Sequence, residues 1–311
     1  MTRSLKTLMT GLVDYAGLFP PSKLPMREAV ETYTRGLMSE EAWMLGRFIC
    51  PCSRLAEFEQ FAKMVMPGTY ATSGYQEQAD AAEPWRISLL ADEGVDAAIE
   101  AAHRFNERHD ADDSGRAKID VFEIKVKDLS EIDEALDHLP EDCYAFFEFP
   151  ISNDCRGFIA ALAGEQCAAK IRTGGVTADA FPTAQEISAF LEACNLADVP
   201  FKATAGLHHP VRAAHPMTYE PGAKSCTMHG FLNLFLAAAL VQAKGIDRQQ
   251  TEAILMNEEP DAFHASEDVI GVGGFNLTAA EIARARETFA LSFGSCSFDE
   301  PVDDLRRMGW L

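Results

Sequence analysis

Two lysines, Lys170 and Lys202, sit in runs that otherwise read as buried strands, CAAKIR and FKATAG. Lysine is almost never fully buried without a partner, so both positions point to chemistry or to ion pairing. In an apolar surround the charged amine is disfavoured and its pKa falls. A second cation close by, Lys202 or Arg172, lowers the Lys170 pKa further. An amine prepared in this way is the nucleophile that forms a Schiff base with a carbonyl compound. Strand alternation places Lys170 and Arg172 on one face, two residues apart. The competing reading is that both lysines only complete a network of ion pairs with carboxylates.

Other groups belong to the same end of the chain's repeating units. Glu148 closes an apolar run and is a candidate general base. Asp120 lies in IDVFEIKV; by alternation it shares a face with Phe122 and Ile124, and the opposite phase turns Glu123 and Lys125 inward instead. The reading adopted is Asp120 as the proton carrier. Asp14 is either a lysine partner or a substrate ligand. His208 and His209 follow the Lys202 run, and His229 opens a long apolar helix. One histidine can serve as acid, base or hydrogen-bond donor. A divalent metal on His208, His209, His229 and Glu148 is the alternative, although no HxH or HExxH spacing supports it. The turns Thr173-Gly174-Gly175, Gly206 and Gly294-Ser295 let backbone N–H groups approach an anion, and Arg172 adds a charged contact. Cys296 lacks a partner evident in the sequence and reads as a thiol lining or buried beside the ligand.

These residues need a frame that brings them together. Apolar runs recur at 12–19, 44–50, 85–90, 119–126, 143–149, 167–172 and 201–206, and helical patterns follow at 26–37, 53–64, 95–108, 130–138, 156–163, 184–194 and 229–243. Strands buried on both faces read as continuous apolar runs, and alternation with helices demands a parallel sheet. No GxGxxG turn follows any strand. Polar residues cluster near strand C-termini, as at the mouth of a (β/α)8 barrel. The eighth strand is expected at 291–293. A helix at 249–256 and a hairpin at 268–277 are expected within an insertion, 246–278, between strands seven and eight. The polar stretches 76–84 and 109–117 read as loops, and 301–311 as a terminal helix. One barrel domain is expected over 1–311. The helix around FLNLFLAAAL is apolar nearly all round, so it is deeply packed or forms a homo-oligomer interface.

Composition bounds the partners. The chain has 311 residues, 47% of them hydrophobic, and a formal net charge of −21. Such a surface repels nucleic acid and anionic lipid. The 8 cysteines show no zinc-ribbon spacing and no short disulfide framework, and no leader or membrane-spanning run is evident. A reducing cytoplasm is the expected compartment.

The run from Lys170 to Gly175 (KIRTGG) resembles the K-x-x-T-G strand of deoxyribose-phosphate aldolase, a class I aldolase barrel. The Lys202 run is similar to that family's second-lysine strand, and LVDY, FICPC, IDVF and SFGSCS resemble further segments in the same order. The likeness implies a Schiff base at Lys170, pKa control by Lys202, a proton relay at Asp120 and a phosphate held near Gly294 and Ser295. Departures are Arg172 in place of a small polar residue, Leu207 in place of a second glycine, and the extra His208-His209-Pro210. The whole chain also resembles an uncharacterised bacterial barrel family through DYAGLFPP, KIRTGG, GLHHP and FGSCSF. The expectation is an aldolase-like lyase, without cofactor, acting on a small phosphorylated or carboxylated carbonyl compound. A metal-dependent hydrolase or lyase, and a non-catalytic barrel binding an anionic metabolite, are the other readings.

Overall fold

The computed structural model describes residues 1–69, 72, 83–110, 115–152 and 154–311. Eight parallel strands close a barrel: β1 (Val13–Tyr15), β2 (Leu45–Pro51), β3 (Trp85–Leu90), β4 (Ala117–Lys125), β5 (Tyr144–Glu148), β6 (Cys167–Arg172), β7 (Phe201–Thr204) and, last in the chain, β13 (Ala290–Ser295), which pairs with both β7 and β1. Helices α2 (Met26–Leu37), α3 (Leu55–Ala62), α4 (Val95–His109), α5 (Leu129–His138), α6 (Arg156–Leu162) and α7 (Ala184–Leu196) follow the first six strands. A short α1 (Arg3–Met9), not foreseen from the sequence, precedes β1. The (β/α)8 barrel expected from the apolar repeats is the fold. Among the described residues no helix is long and apolar enough to cross a membrane.

The strands obey one packing rule. Outward side chains meet the helices, and inward ones fill the barrel. Phe201 on β7 packs against Phe190, Phe235 and Phe289, at ring-centroid distances of 5.7, 6.3 and 5.3 Å. That outward anchor commits the next residue, Lys202, to the interior. The same alternation turns Ala169 and Ile171 outward and Lys170 inward on β6. The lower interior is an apolar plug of Val121, Phe146 and Ala168. Charged residues lie above it, toward the C-terminal mouth.

Strand β4 breaks the expected alternation. Its pairing with β3 runs Ile87 to Ile119 and then Ser88 to Val121, so Asp120 is an extra residue in a bulge. The bulge resets the phase: Val121 and Glu123 point inward and Phe122 and Ile124 outward. Asp120 stays at the N-terminal end of the barrel, on the other side of the apolar plug from the lysines, and pairs with Arg47 (3.1 Å) and Arg86 (3.7 Å). The expectation that Asp120 works beside the lysines is therefore corrected. Glu123, the opposite phase, takes that place.

The connection between β7 and β13 holds more than the expected 246–278 segment. It opens with a hairpin, β8 (Ala213–Pro216) and β9 (Ser225–Met228), which no alternation announced. It continues through α8 (Phe231–Lys244), α9 (Arg248–Leu255), a three-stranded sheet of β10 (Phe263–Ala265), β11 (Val269–Val272) and β12 (Phe275–Thr278), and α10 (Ala279–Thr288). The β11–β12 turn uses Gly273 and Gly274 at φ +54° and +89°, as its Gly-Gly pair required. The terminal helix α11 is Asp299–Arg307. Residues 76–82 and 111–114 of the expected polar loops lie outside the described residues.

Helix α8 is buried from Phe231 to Val241 within the protein itself. It packs against α7, α9 and α10, which explains its apolar circumference without a second copy. Its one polar core residue, Asn233, is fully buried. It accepts from the Arg212 N–H at 2.9 Å and donates to the carbonyls of Ile254 and Asn257, both at 2.8 Å. The amide thus ties the loop after β7 to the end of α9. Asn233→Ala strands one buried N–H and two carbonyls, each worth about 1–3 kcal/mol when left unpaired. The expected result is a loss of roughly 2–4 kcal/mol in urea unfolding. A loss under 1 kcal/mol would show that water replaces the amide.

Candidate functional site

The inward residues of β1, β4, β5, β6 and β7 meet in one ionic layer. Lys170 Nζ lies 2.8 Å from Glu123 Oε2 and 2.7 Å from Glu148 Oε2. Lys202 Nζ lies 2.5 Å from Asp14 Oδ2 and 2.7 Å from Glu123 Oε1. One carboxylate, Glu123, therefore bridges the two amines. Its Oε1 also accepts from the Ser88 hydroxyl at 2.8 Å. Asp14 accepts from the Ser292 hydroxyl (2.8 Å) and the Arg47 N–H (2.7 Å). Arg172 Nε donates to Glu148 Oε1 at 3.2 Å. Three carboxylates (Asp14, Glu123, Glu148) thus face three cations (Lys170, Lys202, Arg172). Such balance is what makes so much buried charge tolerable.

The balance shifts the pKa values in a direction opposite to the one expected from burial alone. Burial opposes the Lys170 ammonium, but Glu123 and Glu148 outweigh it and hold the pKa above the ordinary lysine value. Burial likewise opposes the Glu123 carboxylate, and Lys170 and Lys202 outweigh that, holding it well below the usual range. Glu148 is lowered too: burial opposes its charge, and Lys170 and then Arg172 overcome it. Beside these carboxylates Lys170 is held as an ammonium, and the depressed pKa expected for it is corrected.

Above this layer opens a cavity of about 220 Å³ at the C-terminal ends of the strands. Glu123, Glu148, Lys170, Arg172 and His208 line it. Lys202 is fully buried and lies beneath, its Nζ 5.2 Å from the Phe146 ring centroid. The cavity thus reaches one of the two amines. A neighbouring groove of about 280 Å³ shares Glu148 and Arg172 and adds Lys125, so the Arg172 head stands between two spaces at the mouth.

The glycine turns divide by role. Gly175 and Gly294 line the cavity. Gly174 and Gly206 pack against each other instead: a Cβ on Gly206, already at φ +74°, would lie 2.8 Å from the Gly174 Cα. Thr173 is fully buried and spends its hydroxyl on the Ala205 (2.6 Å) and Thr204 (3.2 Å) carbonyls. Ser295 is buried as well and accepts from the Ser297 N–H at 3.4 Å. Thr173, Gly174, Gly206 and Ser295, expected to touch substrate, shape the rim from behind.

The histidines separate. His208 lines the cavity, with Nδ1 3.0 Å from Glu300 Oε2. His209 pairs with Asp304 at 2.5 Å and stacks on His215 at 3.5 Å between ring centroids. His229 Nε2 is 2.7 Å from the Pro182 carbonyl. Glu148 is held by Lys170 and Arg172. The four proposed metal ligands are therefore spent on different partners. Among the described residues no group of three or more His, Cys, Asp or Glu is placed to hold a metal ion.

Two features escaped the sequence reading. Glu123 was legible only as the second phase of β4. The partners of Cys296 are His208 and Tyr219, both held in turn by Glu300, from three segments with no shared local signal. No family model, curated protein or solved structure matches the chain.

Stability should carry the signature of the ionic layer. Glu123 and Glu148 have folded pKa values below their ordinary 4.5, so their contribution is complete above that value and is lost as pH falls through the lowered folded values. Lys170 is raised above its ordinary 10.5, so its contribution is complete below 10.5 and is lost as pH rises through the higher folded value. Glu123→Gln removes the shared counter-charge of both lysines. It is expected to cost roughly 3–5 kcal/mol in urea unfolding at pH 7 and to flatten the acid limb. An unchanged acid limb would remove Glu123 as the keystone of the layer.

Proposed function

We propose that the cavity is the active site of a lyase that forms a Schiff base between Lys170 and a small carbonyl compound bearing a phosphate or carboxylate. The observation that carries this reading is a buried amine at the floor of a cavity of about 220 Å³, flanked by two carboxylates at 2.7 and 2.8 Å. The charge logic supplies the activation step. Arg172 has a half-exposed side chain whose partner in the layer is Glu148. An anionic substrate competes for that guanidinium. When Arg172 turns to the substrate, Glu148 loses one of the cations that hold its pKa down, and it becomes basic enough to take a proton from Lys170.

The neutral amine then adds to the carbonyl carbon. The C–N bond forms as the C=O π pair moves to oxygen, which takes a proton from the now cationic nitrogen to give a carbinolamine. The protonated Glu148 returns its proton to the departing hydroxyl, and water leaves as the C=N bond forms. The iminium accepts the electron pair of the bond that breaks next, a C–C bond or a C–H bond at the adjacent carbon. Glu148, released from Arg172 by the bound anion, carries the proton at that stage in the role first given to Asp120, while Glu123, held ionised by both lysines, keeps Lys170 in place. Lys202 and Asp14 keep Glu123 oriented from below. His208 faces the substrate from the wall.

Borohydride reduction in the presence of an aldehyde tests the reading, because it freezes an imine as a stable amine that mass spectrometry locates. Trapping at Lys170 is expected with glyoxylate or glyceraldehyde 3-phosphate. It is expected to be roughly tenfold weaker with uncharged glyceraldehyde, the worth of one charge-assisted contact. Arg172→Gln should erase the difference, and Lys170→Met should abolish the adduct. With glyceraldehyde, trapping should rise with pH, since Glu123 and Glu148 favour the protonated Lys170 amine. If no member of a broad carbonyl panel labels Lys170, and thermal shifts appear with the same anions, the barrel is a binding protein and its layer is structural.

A further inference from the structure

The Schiff-base reading leaves one group on the cavity wall unused. Cys296 follows β13, lines the same cavity as Lys170, and is 6% exposed. Its Sγ lies 3.8 Å from His208 Nδ1 and 3.7 Å from the Tyr219 hydroxyl. Glu300, from the first turn of α11, holds the same His208 nitrogen at 3.0 Å and accepts from Tyr219 at 2.8 Å. The Ser22 hydroxyl donates to the Cys296 carbonyl at 3.0 Å and fixes the backbone there. A thiol, an imidazole and a carboxylate that orients the imidazole are the parts of an activated nucleophile. They arrive from the chain after β13, the loop after β7 and α11.

We propose that Cys296 and His208 form a second nucleophilic centre in this cavity, a thiolate beside an imidazolium, that captures small carbon electrophiles entering the mouth. In the capture step a lone pair on Sγ forms the S–C bond while the bond from carbon to its leaving group breaks, and that group departs with the electron pair. No proton moves and nothing is oxidised. His208 keeps its proton, and Glu300 remains its counter-ion once the thiolate charge is consumed.

Electrostatics agree with the geometry. Burial opposes the Cys296 thiolate, but the His208 contact overcomes it and brings the thiol below its ordinary value. Burial opposes the His208 cation too, and Cys296 and Glu300 together lift its pKa to about 10. The other seven cysteines have thiols pushed up by burial. The charged or titratable groups around the pair are Tyr15 from β1, Tyr219 before β9, Glu300 from α11, and Lys170 and Arg172 across the cavity. Behind His208 stand His209, His215 and Asp304.

Iodoacetamide, small and uncharged, is the probe. Native protein is alkylated at pH 6.5 and 8.5 and the adducts are located by mass spectrometry. Cys296 is expected to react at least tenfold faster at pH 6.5 than the half-buried Cys143 and Cys226, and its rate is expected to change less than about threefold between the two pH values. An ordinary thiol speeds up roughly fiftyfold over that interval, following its thiolate fraction. His208→Gln should restore the steep dependence. The profile of the unaltered protein decides the matter even if that variant folds poorly: a Cys296 rate no faster than Cys226, or one that climbs like an ordinary thiol, overturns the proposal. Alkylation is scored at Cys296 and imine trapping at Lys170, so either proposal can fail while the other stands.

Discussion

The Glu123 carboxylate is the constraint on which the interior of this barrel depends. Two ammonium groups on adjacent strands, held in register as Lys170 opposite Lys202, repel each other in a medium that screens them poorly. One oxygen of Glu123 faces each amine. Ser88, Glu148 and Asp14 complete the shells around it, and the layer closes with equal numbers of opposite charges. Such a layer is costly to desolvate, and well-packed apolar side chains of the same volume would serve folding as well or better. Its place at the open end of the barrel, above an apolar plug, accords with the proposed chemistry.

The scaffold supplies what the layer needs, which is fixed direction. On β7 the aromatic contacts of Phe201 lock the strand's outer face and so aim Lys202 at the axis. On β1 the short run Val13–Tyr15 turns only Asp14 inward, with Tyr15 stacked on Tyr33 outside. Helix α8, buried from Phe231 to Val241, fills the space behind β7 and β13 and carries Asn233, which fastens the His208 loop. Rigid elements hold the ionic floor, while the wall opposite it, built from His208, Tyr219, Cys296 and Glu300, is assembled from loops and a helix start.

What could be read in the sequence follows from how local each signal is. Strands buried on both faces announce themselves as apolar runs, so β3 and β6 fell where the pattern put them, and the closed barrel followed. Lys170, Lys202, Glu148 and Asp14 stood out because a charge inside such a run is conspicuous. Asp120 and Glu123 could not be separated, since a bulge inserts one residue without altering composition, and the phase of everything beyond it reverses. The β8–β9 hairpin gave no signal because its strands are short and only half-buried, with no fully buried face to impose an apolar alternation. The partnership of Cys296 is set by tertiary contact alone. The expected drop in the Lys170 pKa assumed burial among apolar groups; the carboxylates that reverse its sign come from other strands.

The face-to-face contact of Gly174 and Gly206 has a consequence for how this mouth can change. Neither position has room for a methyl group, so the loops after β6 and β7 meet as bare main chain, and side-chain replacement cannot remodel that seam. Retuning the opening for a bulkier or slimmer guest is thus left to the far lip, where Phe19, Pro20, Ile49 and Leu90 present side chains to the same space. Divergence in preference among descendants of this barrel would be written on that lip, with the seam kept unaltered.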